Sequence, residues 1–211
     1  MHQFLTIKTK VFFQMSQKRI FKVINDGEIV IQLYNPLTDL AGVLKVLREG
    51  YMKDSNTFVA FEMNTPEAAN ARREYEDLIH AVLRDGISII AQHSPSMQII
   101  GYCLNKIHTR PKAGQGNFYE EFRDNIQSEI VKKLLNFRIM KDKQMDVYEM
   151  YKTEYIFEPV YAAILPEYRM QDIAYHIIQC TVLLAREISR GIYPDTMAEE
   201  IKGKKTQNSI W

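Results

Sequence analysis

Apolar positions recur at two different periods along this chain, and the switches between them set the predicted order of elements. Residues 28–33 read as a short strand opened by the turn Asn25-Asp26-Gly27. From Asn35-Pro36 onward the spacing is helical. Asparagine suits the N-cap and proline the first helical position, and Leu40, Val43, Leu44, Leu47 and Tyr51 form one stripe. A second helix starts at Thr65-Pro66-Glu67, carries Ala68, Ala71, Tyr75, Leu78, Ile79, Val82 and Leu83 on one face, and stops at Asp85-Gly86. Residues 87–93 and 98–108 read as two strands around the hairpin turn Ser94-Pro95-Ser96-Met97. After Pro111, Gly114 and Gly116, Asn117 and Glu120 have the spacing of a capping box. Phe118, Phe122, Ile126, Ile130 and Leu134 then predict one long helix over 117–136. Residues 155–165 read as a buried strand ended by Pro166. An amphipathic helix follows to about Arg190, with Ile173, Ile177, Leu184 and Ile188 as its core stripe. The order β-α-α-β-β-α-β-α predicts an α/β or α+β fold.

Composition narrows the class. At 211 residues, 46% hydrophobic and 25% charged, the chain can bury a sizeable core as one soluble domain. No repeat, low-complexity tract or Gly/Ser linker marks a second one. A net charge of +1 argues against a nucleic-acid or membrane surface held by bulk charge. No apolar run reaches the ~18 residues of a membrane span. Cys103 and Cys180 fall in predicted buried elements and read as reduced packing residues of a cytoplasmic protein, with a disulfide as the competing reading. The histidines are dispersed and lack ligand spacing, so no metal is expected. Residues 1–25 hold five basic side chains and no acidic one (Lys8, Lys10, Lys18, Arg19, Lys22). They read as an extension, either a flexible tail or an extra strand, with a transit peptide the weaker alternative.

The chemistry concentrates where the strand over 155–165 turns into the last helix. A strand, a tight basic turn and a helix N-terminus offer free N–H groups and a favourable dipole to an anion. The wording of this turn, Ile164-Leu165-Pro166-Glu167-Tyr168-Arg169-Met170-Gln171-Asp172-Ile173-Ala174, resembles the acetyl-CoA signature of the GCN5-related N-acetyltransferases. That family usually has glycine where Met170 and Asp172 stand. Glycine lets backbone N–H groups approach a pyrophosphate, and a carboxylate at Asp172 would repel it.

Within that superfamily the chain is similar to the insect arylalkylamine, dopamine-type N-acetyltransferases over about residues 28–205. The strand pair Asp85-Gly86-Ile87-Ser88-Ile89-Ile90-Ala91 and Ile99-Ile100-Gly101-Tyr102-Cys103-Leu104-Asn105, the inserted helix, and the tail Met197-Ala198-Glu199-Glu200-Ile201-Lys202-Gly203-Lys204-Lys205 carry the likeness. The resemblance implies a mixed, largely antiparallel sheet flanked by helices, acetyl-CoA as co-substrate, and a small primary amine that attacks the thioester directly. It assigns pantetheine pairing to Ala163 and Ile164, with a nearby backbone N–H for the oxyanion. Pyrophosphate binding falls to Arg169, Met170, Gln171, Asp172, Ile173 and Ala174. The family's D-E-P tetrapeptide, whose glutamate is taken as general base, matches Asp54-Ser55, so Asp54 is the candidate base, with Glu62 or an ordered water as alternatives. Tyr148, Tyr151, Tyr155 and Phe157 are candidate pocket aromatics or ordinary core.

The resemblance also implies strands beyond Trp211, which makes residues 26–211 an incomplete domain. On that basis an exposed apolar patch is expected near Phe157, Tyr161 and Ala163, open to self-association or a strand-donating partner. Two further readings stand beside the enzyme: a catalytically dead interaction protein of the same fold, and a fragment without its own function.

Overall fold

The computed structural model describes residues 19–191. The basic stretch before residue 19 and the tail resemblance at Met197–Lys205 lie outside them. Five strands form one antiparallel sheet in the order of the chain: β1 (Ile20–Ile24), β2 (Ile29–Leu33), β3 (Ile89–His93), β4 (Gln98–Thr109) and β5 (Tyr155–Ile164). β1 falls inside the segment read as an extension and pairs with β2.

The first helix begins later than Asn35-Pro36 suggests. Asn35 Oδ1 accepts the Leu37 N–H at 2.9 Å. This local turn competes with a helical start, and α1 runs Leu40–Val46 with Asp39 at its N-cap. It continues into a π-helical segment, Leu47–Met52, and then a short helix α2, Asn56–Ala60, that the apolar pattern did not predict. Thr65-Pro66 opens a 3₁₀ turn before α3, Ala69–Leu83. Every residue of the predicted α3 stripe is buried.

The single helix expected over 117–136 is two. Asn117 and Glu120 form the predicted capping box for α4, Phe118–Asp124. The helix then stops, and α5 runs Glu129–Asp142 behind the N-cap Ser128. Glu74 of α3 stabilises the break, because its Oε2 accepts the Gln127 and Ser128 N–H groups at 3.0 and 2.8 Å. A carboxylate from another element thus satisfies donors that helix continuation would have used. A short α6 (Val147–Tyr151) precedes β5, and α7 (Ile173–Ser189) closes the described chain.

The sheet is covered on both faces. α1, α3, α4 and α5 pack on one side with Tyr102, Leu104, Tyr161 and Ala163. α7 packs on the other with Ile100, Cys103, Ile173, Ile177 and Leu184. The patch expected along β5 is therefore absent: Tyr161 and Ala163 are buried and Phe157 is half-buried. The helices of the α3 side reach over the end strand. Exposed apolar residues lie instead on the outer face of α7, at Tyr175, Ile178, Val182 and Leu183. Among the described residues no helix is long and apolar enough to cross a membrane.

A bulge decides which face Tyr102 joins. Opposite Ala91 and Gln92 stand Gly101 and Ile99, leaving Ile100 as an extra residue. A Cβ on Gly101 would lie 2.3 Å from Ile164 Cδ1 and 3.4 Å from Ile177 Cδ1, so residues 100 and 101 both face α7. Tyr102 is turned to the opposite side.

Candidate functional site

The site forms where the π-helical segment approaches the end of β5. Gly50 makes the approach possible, since a Cβ there would lie 2.9 Å from the Ile164 carbonyl oxygen. Leu165 donates its N–H to Ile100 O at 2.8 Å. By strand alternation the N–H and C=O of Ile164 point the other way, toward the open edge and Gly50. Between these elements is a cleft of about 440 Å³. Gly50, Tyr51, Asp54 and Ser55 wall one side, and Ala162, Ala163 and Ile164 the other. Tyr102, Arg169, Ala174 and Ile177 complete it.

Arg169 spans the cleft. Its Nε donates to Ile164 O at 3.1 Å, Nη1 to Asp54 Oδ2 at 2.8 Å, and Nη2 to Gly50 O at 2.9 Å. The Gly50 carbonyl belongs to the last turn of a helical segment, where a cation is favoured. Both charged side chains are over a third exposed, so the pair contributes little to folding. Its importance is positional, because it ties the turn after β5 to the helical wall opposite.

The turn has an unusual backbone. Met170 (φ 61°) and Asp172 (φ 58°) are both left-handed, a conformation that favours glycine. These are the two positions where the resembling family has glycine. Met170 is wholly exposed and Asp172 exposed, so neither Cβ fills the cleft. The turn thus keeps the left-handed backbone path that glycine would adopt, and Asp172 places a carboxylate beside it. In α7 the first backbone bond from the cap is His176 N–H to Asp172 O at 3.1 Å. The N–H groups of Ile173, Ala174 and Tyr175 precede it and have no intrahelical partner among the described residues.

Of the residues named from sequence, Asp54, Ala163, Ile164, Arg169 and Ala174 gather on the cleft. Gln171 is turned back, its Nε2 donating to Glu167 O at 3.4 Å. Ile173 is buried under α7, where its side chain only packs. Glu62 stands outside the cleft lining, after α2. Tyr148, Tyr151, Tyr155 and Phe157 do not line the cleft; Tyr151 and Tyr155 are exposed and Phe157 packs toward α7. The cleft aromatics are Tyr51 and Tyr102. They border a cluster in which Tyr51 meets Phe58 and Tyr161 edge-on at 5.4 and 5.5 Å, and Tyr75 meets Phe58 and Tyr161 at 4.8 and 5.8 Å. Gly50, Tyr51 and Tyr102 carry no chemical motif, and contacts between distant segments bring them to the cleft.

Burial raises the Cys103 thiol to about 11, well away from a nucleophile's range, and raises Cys180 as well. At the far end of β5, Glu158 gathers His108, Tyr119 and Arg138. His108 Nε2 lies 2.7 Å from Glu158 Oε2, the Tyr119 hydroxyl donates to the same oxygen at 3.0 Å, and Arg138 pairs with Oε1. Burial, reinforced by Lys106 and Arg138, lowers His108 to about 4. The ring is therefore neutral near pH 7 and donates to Glu158. This group pins the α4–α5 insertion to the sheet.

No family model and no curated protein matches the sequence. Solved structures do. Arylalkylamine N-acetyltransferase 2 from Aedes aegypti is similar with a TM-score of 0.63 at 20% identity, over 77% of this chain and 72% of that one. A mosquito arylalkylamine N-acetyltransferase like 5b gives 0.64 at 16% identity, over 76% and 72%. A mutant agmatine N-acetyltransferase in its apo form gives 0.62 at 12% identity, over 77% and 72%. The fold is that of the GCN5-related N-acetyltransferases. In that fold β5, the turn after it and α7 form the strand–turn–helix unit singled out in the sequence.

Proposed function

We propose that this chain is an acetyl-CoA-dependent N-acetyltransferase acting on a small primary arylalkylamine, such as dopamine, tryptamine or serotonin. One observation carries the reading: the open edge at Ile164, the first turn of α7 and the Arg169 guanidinium all border a single cleft. Acetyl-CoA, when bound, supplies an activated acetyl thioester. The Ile164 backbone faces the open edge and offers hydrogen-bonding groups to the pantetheine arm, whereas the Ala163 N–H and C=O are turned to β4 opposite Tyr102, contrary to the expectation from sequence. The turn from Arg169 to Ala174 takes the pyrophosphate through N–H groups and one guanidinium. The Ile164 N–H, facing the open edge, is a donor for the carbonyl oxygen. An alkylamine with a pKa near ~10 is mostly ammonium at neutral pH, so a proton must leave before attack. Asp54 is the carboxylate on the cleft wall and takes that role, directly or through water. Ser55 beside it cannot. The buried free thiols Cys103 and Cys180 fit a reducing cytoplasmic setting.

A second reading is favoured by the Arg169–Asp54 pair, which engages the anion-binding cation and the base with each other. Together with Asp172 and Ser55 it fits a protein that keeps the fold and acts through interaction. Calorimetry with acetyl-CoA and a thiol-release assay separate the two. The enzyme reading expects a Kd on the order of tens of micromolar and transfer well below ~1 s⁻¹. Binding with no transfer to any amine supports the second reading. No binding of acetyl-CoA at all overturns the first.

A further inference from the structure

Tyr102 is fully buried, lines the cleft, and its hydroxyl has no hydrogen-bond partner among the described residues. A buried hydroxyl without a partner carries an uncompensated desolvation penalty, and native structures rarely leave one unless it has a use. The neighbouring hydroxyls differ in this respect: Tyr75 and Tyr161 hydrogen-bond each other. Tyr102 reached this position through the Ile100 bulge, which moved it off the α7 face. A phenylalanine would fill the same apolar surroundings without the penalty, so packing does not account for the hydroxyl.

The charges around the cleft indicate what would satisfy it. Among the described residues the lining holds one carboxylate, Asp54, which accepts from Arg169 through Oδ2 alone, and one cation, Arg169, whose Nε, Nη1 and Nη2 all donate already. A carboxylate beside Tyr102 would meet no further cation of the lining, while the Asp54 Oδ1 oxygen remains open to a donor. An amine would meet Asp54, the half-buried ring of Tyr51, whose face suits a cation, and the Tyr102 oxygen. Burial and the neighbouring Tyr51 and Tyr161 hold the Tyr102 phenol well above its ordinary pKa. It therefore stays neutral and can accept from an N–H or donate to a lone pair.

We propose that the Tyr102 hydroxyl is a specificity-determining contact for the acceptor, hydrogen-bonding the nitrogen of a small primary amine held in the cleft. This rests on the acetyltransferase reading for its role in transfer, while amine binding itself does not depend on the cofactor. The test compares the wild type with Tyr102→Phe in two measurements made without acetyl-CoA. Tyramine is titrated by calorimetry, with 3-(4-hydroxyphenyl)propionate as the carboxylate control, and melting is followed by circular dichroism. The variant should bind tyramine about 10-fold more weakly or worse, as expected for a hydrogen bond to a charged group. It should melt at least ~2 °C higher, because the unpaired hydroxyl is gone. The carboxylate should bind neither protein. Equal tyramine affinity in the two proteins, no tyramine binding by the wild type, or a lower melting point in the variant would each overturn the proposal. The last would mean that a buried water satisfies the hydroxyl. Failure of the wild type to bind acetyl-CoA would strike the acetyltransferase reading alone.

Discussion

Arg169 and Asp54, 115 residues apart in the chain, meet at 2.8 Å across the mouth of the cleft. One comes from the turn after β5 and the other from the loop that follows the π-helical segment. The same guanidinium also holds the Ile164 and Gly50 carbonyls. Arg169→Ala should therefore weaken acetyl-CoA about 10-fold or more by calorimetry, because a charge-assisted contact to phosphate is lost. Stability should change by no more than ~1 kcal/mol, since the pair is exposed. Unchanged acetyl-CoA affinity would show that Arg169 holds the cleft walls without touching phosphate.

Met170 and Asp172 adopt left-handed conformations that cost a residue with a Cβ about 1–2 kcal/mol each. Met170→Gly with Asp172→Gly removes that strain, offset by the greater flexibility of glycine in the unfolded chain. It also removes a carboxylate beside the pyrophosphate path. The double variant is expected to melt no lower than the wild type and to bind acetyl-CoA more tightly. Failure to tighten would mean that the turn does not hold phosphate.

His108 sets a pH dependence of stability. Its folded value of about 4 lies below the ordinary 6.5, so the contribution is fully present above pH 6.5. As pH falls below that, the unfolded chain takes up the proton first, and stability drops until the folded ring also titrates near pH 4. The loss by pH 5 should be about 2 kcal/mol. Urea midpoints at pH 7 and 5 measure it. His108→Gln, which keeps an N–H donor toward Glu158, should be less stable at pH 7 but flatter with pH. An equal slope in the two proteins would assign the acid sensitivity elsewhere.

Gly50→Ala places a methyl group 2.9 Å from the Ile164 carbonyl oxygen, a backbone atom that cannot rotate away. Overpacking of this kind costs about 1–3 kcal/mol. It should push the π-helical segment from β5 and weaken acetyl-CoA as well as lower the melting point. A variant with wild-type melting and binding would show that the two elements are not in contact in solution.

Much of the scaffold was legible from periodicity. The α3 stripe, the β3–β4 hairpin, the Asn117 capping box and the course of α7 follow from spacing alone, because burial on one face repeats at the period of the element. The strand–turn–helix around Pro166–Ala174 was legible as a unit because its turn chemistry is local. Three-dimensional contacts decided the rest. One predicted helix became α4 and α5 because Glu74, from α3, captures two N–H groups at the break. The first helix lost its opening turn to an asparagine side chain that bonds locally.

At the cleft the sequence by itself marked the turn and helix start that supply Arg169 and Ala174. It did not determine that Arg169 would face Asp54, since that meeting depends on how α1 and its π-helical extension lie against β5. Nor could alternation along β4 place Tyr102. A strict period of two puts Tyr102 on the same face as Ile100, under α7. The extra residue at the bulge reverses that, because inserting one residue in a strand exchanges the faces of everything beyond it. Bulges and carbonyl contacts such as Gly50 to Ile164 are agreements between distant segments, and they exist only once the sheet has closed on its helices.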